Sequence, residues 1–268
     1  DQRPPRPLNH EAIVTSVSFS PDSRRLLITY DWPIAGLHRL DPDLKHTPLR
    51  NGDGDLVDGT HDPRGQRLAT VARSAVTIWT QGDEGPPKIQ QTLTCADDTF
   101  TAAFFAPDGS IITVNDEGRA RRWQQGRQAT LNCAEDGVAP PLAGPRHKGT
   151  VESLQFAGTN PDAPILSVGA EGVARLWGRE GAAVAALRTG QEAVHAAHFS
   201  KDAARVATLT EEGRARLWTR RVDETWGAMD LHAPSPIRSY SFTPSGEHIL
   251  LASDTGAVIR HSLVDREM

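Results

Sequence analysis

Three times the chain writes the same phrase: an acid, a glycine and a short alternating run that ends in tryptophan. It reads Glu117-Gly118-Arg119-Ala120-Arg121-Arg122-Trp123, then Glu171-Gly172-Val173-Ala174-Arg175-Leu176-Trp177, then Glu212-Gly213-Arg214-Ala215-Arg216-Leu217-Trp218. Glycine beside an acid makes a tight turn, because without a Cβ it takes positive φ freely. The alternating residues that follow read as a short strand, half-buried on each face. A turn and a strand recurring at a set interval mark a repeat architecture, which constrains the fold more than any single residue does.

A second landmark precedes each copy and extends the repeat along the chain. It is an apolar residue, another residue three positions on and a third, usually Phe, two further, before a Pro, Asp or Gly turn. Val14, Val17 and Phe19 run into Ser20-Pro21-Asp22, and Phe100, Ala103 and Phe105 into Ala106-Pro107-Asp108-Gly109. With His61, Phe156, Phe199 and Phe242, the anchors stand at 19, 61, 105, 156, 199 and 242, giving spacings of 42, 44, 51, 43 and 43. A further strand is predicted between the landmarks, at 25–29, 67–71, 111–114, 165–168, 205–209 and 249–252. A fourth follows the Trp position, at 88–94, 127–131 and 182–187. Each repeat is therefore expected to be a four-stranded antiparallel meander. One such sheet of ~43 residues cannot cover both its faces, so neighbours must stack radially. The expected fold is all-β, a β-propeller with six repeats visible, either a closed six-bladed ring or part of a seven-bladed or larger one. Residues 1–9 are a Pro/Arg-rich lead-in and residues 10–268 the propeller domain.

Bulk properties narrow the function classes. A net charge of −5 argues against a dedicated nucleic-acid binder. No run approaches the roughly 20 apolar residues needed to span a bilayer, and the start lacks the apolar core of a signal peptide. Two cysteines, Cys95 and Cys133, make no disulfide framework and are expected as free thiols of a cytoplasmic protein. Lys fills only four of 29 basic positions and Arg the rest, as expected of a GC-rich bacterial genome. Asp1 in place of a starting Met is expected of a processed product or an excised piece.

Several motifs invite chemistry and are better read as framework. Asn51-Gly52-Asp53-Gly54-Asp55, with Asp62 further on, spaces its carboxylates like a calcium loop. Leu56 stands where such a loop needs its glycine and the twelfth place is Asp rather than Glu, so the stretch reads as the loop into the second repeat. His195 and His198 lie three apart on a strand, which turns them to opposite faces and denies them one shared ion. Glu117, Glu171 and Glu212 each occupy the same turn of a different repeat, which speaks for folding rather than for a pair of catalytic carboxylates. No phosphate loop, Gly-x-Ser-x-Gly elbow or His-Glu-x-x-His helix occurs. No catalytic residue, metal or cofactor is expected.

From His10 to about His261 these residues resemble the WD-repeat propellers. The likeness rests on Phe19-Ser20-Pro21-Asp22, on Phe105-Ala106-Pro107-Asp108-Gly109 and on the three Ala-Arg-x-Trp strand ends. The resemblance places the repeat-opening histidine at His10 and His147, with Gly190 at an equivalent place. It puts the acid that braces the turn, six residues before the Trp, at Asp31, Glu117, Glu171, Glu212 and Asp254, and Arg73 breaks the pattern. Trp79, Trp123, Trp177 and Trp218 fill the aromatic slot, while Leu37 and Arg260 replace it in the outer repeats. His147, Ser167, Glu171 and Trp177 come nearest to the family's hydrogen-bonded network, with Glu one methylene longer than the usual Asp. Such rings usually close with an N-terminal strand. Here Pro4, Pro5 and Pro7 lack the amide donors a ladder needs, and residues 262–268 could serve instead.

The resemblance implies a non-enzymatic interaction platform, a scaffold or sensor module of a larger bacterial protein. Its partner would be another protein, a peptide or a domain of the same longer chain. The family's commonly used surface carries the turn before the Trp strand and the start of the innermost strand. Aligned on the anchors, that surface gathers Thr15, Tyr30, Asp116, Glu152, His195, Glu211 and Arg238, with Tyr30 and Arg238 expected as the strongest anchors. The Pro-rich stretch 132–147 is expected beside them, and Arg64 on the opposite face. A nucleic-acid-binding propeller would need Arg side chains gathered on one face, whereas Arg121, Arg175 and Arg216 are expected as salt-bridge partners within blades. A small-ligand site or an enzyme would need polar groups converging on the central channel, which the repeat does not show.

Overall fold

Strands form where the repeat sets apolar residues in alternation, and 23 of them occur among the described residues. The computed structural model describes residues 12–40, 45–52, 54–82, 85–96, 98–123, 130–132, 147–157, 164–178, 183–190, 192–221, 223 and 225–263. The first sheet is β1 (Val14–Phe19), β2 (Arg25–Tyr30), β3 (Ile34–Arg39) and β4 (His46–Arg50), in chain order. The second repeat supplies β5 (Leu56–His61), β6 (Arg67–Ala72), β7 (Ala75–Thr80) and β8 (Lys88–Thr94), and the third β9 (Phe100–Phe105), β10 (Ile111–Asn115), β11 (Ala120–Trp123) and β12 (Thr130–Asn132). The fourth sheet is β13 (Val151–Phe156), β14 (Ile165–Gly169), β15 (Val173–Trp177) and β16 (Ala183–Leu187). The fifth is β17 (Val194–Phe199), β18 (Arg205–Thr210), β19 (Ala215–Arg220) and β20 (Trp226–Leu231). The sixth has β21 (Ile237–Phe242), β22 (His248–Ser253) and β23 (Val258–Ser262).

Two of the six repeats depart from the expected four-stranded meander. The third and sixth sheets have three strands among the described residues, and β12 joins β8 of the second sheet in parallel. The direction has a simple cause. A strand that follows β11 runs the way every fourth strand runs, so it meets β8, itself a fourth strand, in parallel. In that register Thr94 lies opposite Asn132. Cys95 is disulfide-bonded, which corrects the expectation of free thiols, while Cys133 lies outside the described residues. His10 and the Pro-rich stretch up to residue 146 also lie outside them.

The chain divides into two compact units: residues 1–105, 109–115 and 121–139, and residues 106–108, 116–120 and 140–268. Within each, one joint between neighbouring sheets recurs. In the first unit Ala69, Val71, Val76, Ile78 and Leu93 of the second sheet close over Phe100, Ala103 and Phe105 of the third. In the second unit Leu166, Val168, Ala174, Leu176 and Leu187 close over Val194, Ala197 and Phe199. The set returns once more as Ala207, Leu209, Ala215, Leu217 and Leu231 against Ile237. Each leucine so buried contributes about 1.5–3 kcal/mol, so the joints hold the sheets together. On β1 the matching outward positions are bare, with Val17 54% and Phe19 61% exposed.

The glycine of the repeated phrase now has a physical reason. Gly118, Gly172 and Gly213 all have positive φ, at 71°, 70° and 84°. Each is also pressed against the start of the next repeat: a Cβ at Gly213 would stand 2.6 Å from Pro236 Cβ and 2.9 Å from Ile237 N. Gly256, the same position one repeat later, has φ 82° but nothing within 4 Å of such a Cβ. Gly256→Ala is therefore expected to cost only the left-handed penalty, about 1 kcal/mol, and Gly213→Ala about 2 kcal/mol or more. Equal shifts of the thermal midpoint would show that the turn does not press on its neighbour.

Candidate functional site

Each repeat tryptophan is held by a hydroxyl on the neighbouring strand. Trp79 Nε1 donates to Thr70 Oγ1 at 2.9 Å, Trp123 to Thr113 at 2.7 Å, Trp177 to Ser167 Oγ at 2.7 Å and Trp218 to Thr208 at 3.0 Å. In the fourth repeat the chain of bonds is complete despite the longer acid. His147 Nε2 lies 2.7 Å from Ser167 Oγ and its Nδ1 2.8 Å from Glu171 Oε1, while the Arg175 guanidinium closes on the same carboxylate. Ser167 Oγ accepts from Trp177 Nε1, and the Arg175 guanidinium also lies 2.8 Å from His147 Nδ1. Burial, helped by Arg175, keeps the His147 pKa below its ordinary value, consistent with a neutral ring. Burial alone would raise the Glu171 carboxyl, but His147 and the Arg175 hydrogen bond bring it below the usual range. In the second repeat Asn51 takes the histidine's place, its Oδ1 accepting from Thr70 at 2.9 Å, which ties the start of this stretch to the second sheet.

The network fixes a turn, and the turn fixes the site. Gly172 N donates to Gly169 O at 2.8 Å, and Gly172 O accepts from Val194 N at 2.9 Å, which sets the start of β17 and the neighbouring His195. One repeat on, Ile237 N donates to Gly213 O at 2.8 Å and sets Arg238, while Glu211 N donates to Ala193 O at 3.1 Å. His195, Glu211 and Arg238 thereby surround a cleft of about 300 Å³ with Thr210 and Ile237 as its buried floor. Thr210 Oγ1 is already engaged, donating to Glu192 Oε2 at 3.0 Å and accepting from Arg214 N at 3.1 Å. The rim is free to work. Arg238 faces Asp254 at 3.8 Å on the exposed surface, a pair weak enough to open for a ligand.

Three of the seven expected partner-binding residues thus share one cleft. Asp116 and Glu152 are exposed elsewhere in the second unit, and Thr15 is exposed in the first, its Oγ1 2.9 Å from Thr29 Oγ1. Tyr30 is a correction. It closes β2 on the same side as Leu26 and Ile28 and is only 6% exposed, so it belongs to the packing and offers no surface anchor. Among the bracing acids, Asp31 accepts from Ile13 N at 2.9 Å, Glu117 pairs with Arg119, and Asp254 faces Arg238. Glu212 instead lines a larger cleft of about 500 Å³ beside β19 and β20. The charges there are largely spent on one another, Arg216 on Asp230 at 2.6 Å and Arg214 on Glu192 at 2.9 Å.

Alignment on the anchors missed the floor residues Thr210 and Ile237, which it treated as framework. It also missed Thr70, Thr113 and Thr208, although a hydroxyl nine or ten residues before each tryptophan was there to find. Asp98 was overlooked as well: it accepts from Asn115 Nδ2 at 2.8 Å and from Arg121 Nε at 2.7 Å. Among the described residues no group of His, Cys, Asp and Glu is placed to hold a metal ion, and no helix is long and apolar enough to cross a membrane.

No curated protein matches the chain. Repeats of the WD type generally mediate protein–protein interaction and are typically non-enzymatic. The chain is similar to that type by one direct match: the family model described as WD domain, G-beta repeat covers residues 4–32, the stretch that contains β1 and β2.

Proposed function

We propose that this chain is a non-enzymatic protein-interaction module, a scaffold or sensor part of a larger protein, built as β-propeller blades. The observation that supports it is the cleft of the second unit, where His195, Glu211 and Arg238 converge from the fifth and sixth repeats over a Thr210 and Ile237 floor. A rim with bases and an acid around a small, partly apolar floor suits a peptide segment that carries both charges. A polyanion suits it less. Arg121, Arg175 and Arg216, which recur beside the tryptophans, are each tied to a carboxylate of their own unit. The cytoplasmic location read from two free thiols loses its ground, since disulfides persist chiefly in oxidising compartments.

The test compares partner capture by wild-type chain with that by Arg238→Ala, Glu211→Ala and Arg64→Ala, the last an exposed residue of the first unit. A partner retained by wild type and Arg64→Ala is expected to bind Arg238→Ala about tenfold more weakly, with the melting temperature unchanged. Capture that is lost with Arg64→Ala and indifferent to Arg238 and Glu211 would move the site elsewhere.

A further inference from the structure

The strand ladders define the tryptophan's place without reference to spacing along the chain. Trp79 pairs with Leu68, which pairs with His61; Trp177 pairs with Ile165, which pairs with Phe156. Trp218 pairs with Val206, which pairs with Phe199. In the first repeat the same path runs from Phe19 through Leu26 to His38, so His38 and not Leu37 holds the indole's place. Its surroundings change with it. The fourth-strand residue facing the tryptophan is Ile89, Ala183 or Ala228, whereas His46 faces His38. The residue two before the tryptophan is Thr77, Arg175 or Arg216, and here it is Gly36. Ile28 stands where Thr70, Ser167 and Thr208 offer the indole a hydroxyl.

These exchanges bring donors of three strands together. The two imidazoles lie 4.7 Å apart between centroids, inclined at 38°. A Cβ at Gly36 would stand 2.8 Å from His38 Nε2, 3.0 Å from His46 Nε2 and 3.2 Å from Tyr30 Oη, so all three converge on one point that glycine leaves open. A glycine inside a strand often marks the close approach of a ligand. We infer that His38, His46 and Tyr30 bind a divalent transition-metal ion of the zinc and copper class, seated over Gly36. The two Nε2 atoms are its principal ligands and the phenol oxygen the third, a donor set with the imidazole character such ions favour. Ligand bonds of about 2.0–2.1 Å need each donor to move inward by about 1 Å, which small side-chain rotations supply. Among the described residues no three of His, Cys, Asp and Glu are placed to hold an ion, and here a phenol supplies the third donor instead. His38 and Tyr30 are buried and His46 is exposed, so packing fixes two ligands and the third faces solvent. The site lies in the first unit, apart from the His195 cleft of the second.

Zinc titrated calorimetrically into the full 268-residue chain, in chelator-free buffer, is expected to bind as one ion per chain and to raise the denaturant midpoint. His46→Gln removes an exposed ligand, so the metal-free variant keeps its melting temperature, yet zinc should bind at least about tenfold more weakly. Gly36→Ala is the sharper variant. Its methyl meets only the ends of three side chains, and alanine suits a strand interior better than glycine. The metal-free chain should therefore be at least as stable as wild type, while zinc affinity falls as far as in His46→Gln. Tyr30→Phe should weaken zinc by about threefold or more. With copper in place of zinc, electron paramagnetic resonance should show coupling to two imidazole nitrogens in wild type and to one in His46→Gln. Absence of binding at millimolar zinc would overturn the site. So would zinc held equally well by His46→Gln and Gly36→Ala, which would place the ion at other histidines.

Discussion

Trp177→Ala is expected to destabilise the second unit by about 3–5 kcal/mol, the range for deleting a buried indole. Trp177 is 9% exposed and belongs to a hydrogen-bonded chain, so the loss has two parts. The first is the cavity left beneath Ser167 and His147, whose ring lies 6.1 Å from the indole. The second is the broken relay: Ser167 Oγ loses its donor, and the turn at Glu171 loses part of what orients it. Trp177→Phe separates them, since it keeps most of the volume and removes only the N–H, and about 1–2 kcal/mol is expected from that change alone. Denaturant unfolding with amide exchange along β14 and β15 reads both. A midpoint equal to wild type for the alanine variant would mean that the tryptophan does not anchor its sheet.

Acid is expected to weaken the first unit by about 3 kcal/mol through one residue, His61, which sits where every other repeat has Phe. Burial pushes its pKa down to about 4, with Arg25 adding to the effect and Asp22 and Asp62 opposing it. In the unfolded chain the imidazole titrates near its ordinary 6.5. A depressed base contributes stability that is fully present above pH 6.5 and is lost as pH falls towards 4. His61→Phe removes the titration, and only a long 3.3 Å contact with Ser18 Oγ goes with it. Carboxylates such as Asp22, held below the usual range by Ser20 and Arg24, also favour neutral pH, so the informative quantity is the difference between the two chains. Wild type and His61→Phe should diverge between pH 6.5 and 4 in denaturant midpoint. Parallel curves would show that His61 is not buried as a neutral ring.

The strands were legible because a propeller-type repeat forces the same residue types to the same places. Val194, Ala197 and Phe199 predict β17, and residues 88–94 are β8 as read. The partner edge of β12 was not legible. Three residues of strand sequence say nothing about which neighbour they join. Nor was the bond at Cys95 visible in the spacing of two cysteines along the chain. Within the candidate site, His195, Glu211 and Arg238 were found because alignment tracks the starts of strands and their turns. Tyr30 was misplaced by the same rule, which reports position along a strand and not the side on which the ring packs. His147, Ser167, Glu171 and Trp177 show a more tolerant element. The extra methylene of Glu171 is absorbed because Gly169 leaves room: a Cβ there would collide with both Glu171 and His147.

The bare side of β1 bears on how such chains change length over evolutionary time. Val17 and Phe19 occupy the positions that Ala103 and Phe105, or Ala197 and Phe199, fill at finished joints. A gene duplication that places one more whole repeat ahead of β1 would meet a surface already shaped to receive it, with no compensating change in the interior. In nearest-neighbour arrays stability grows one joint at a time.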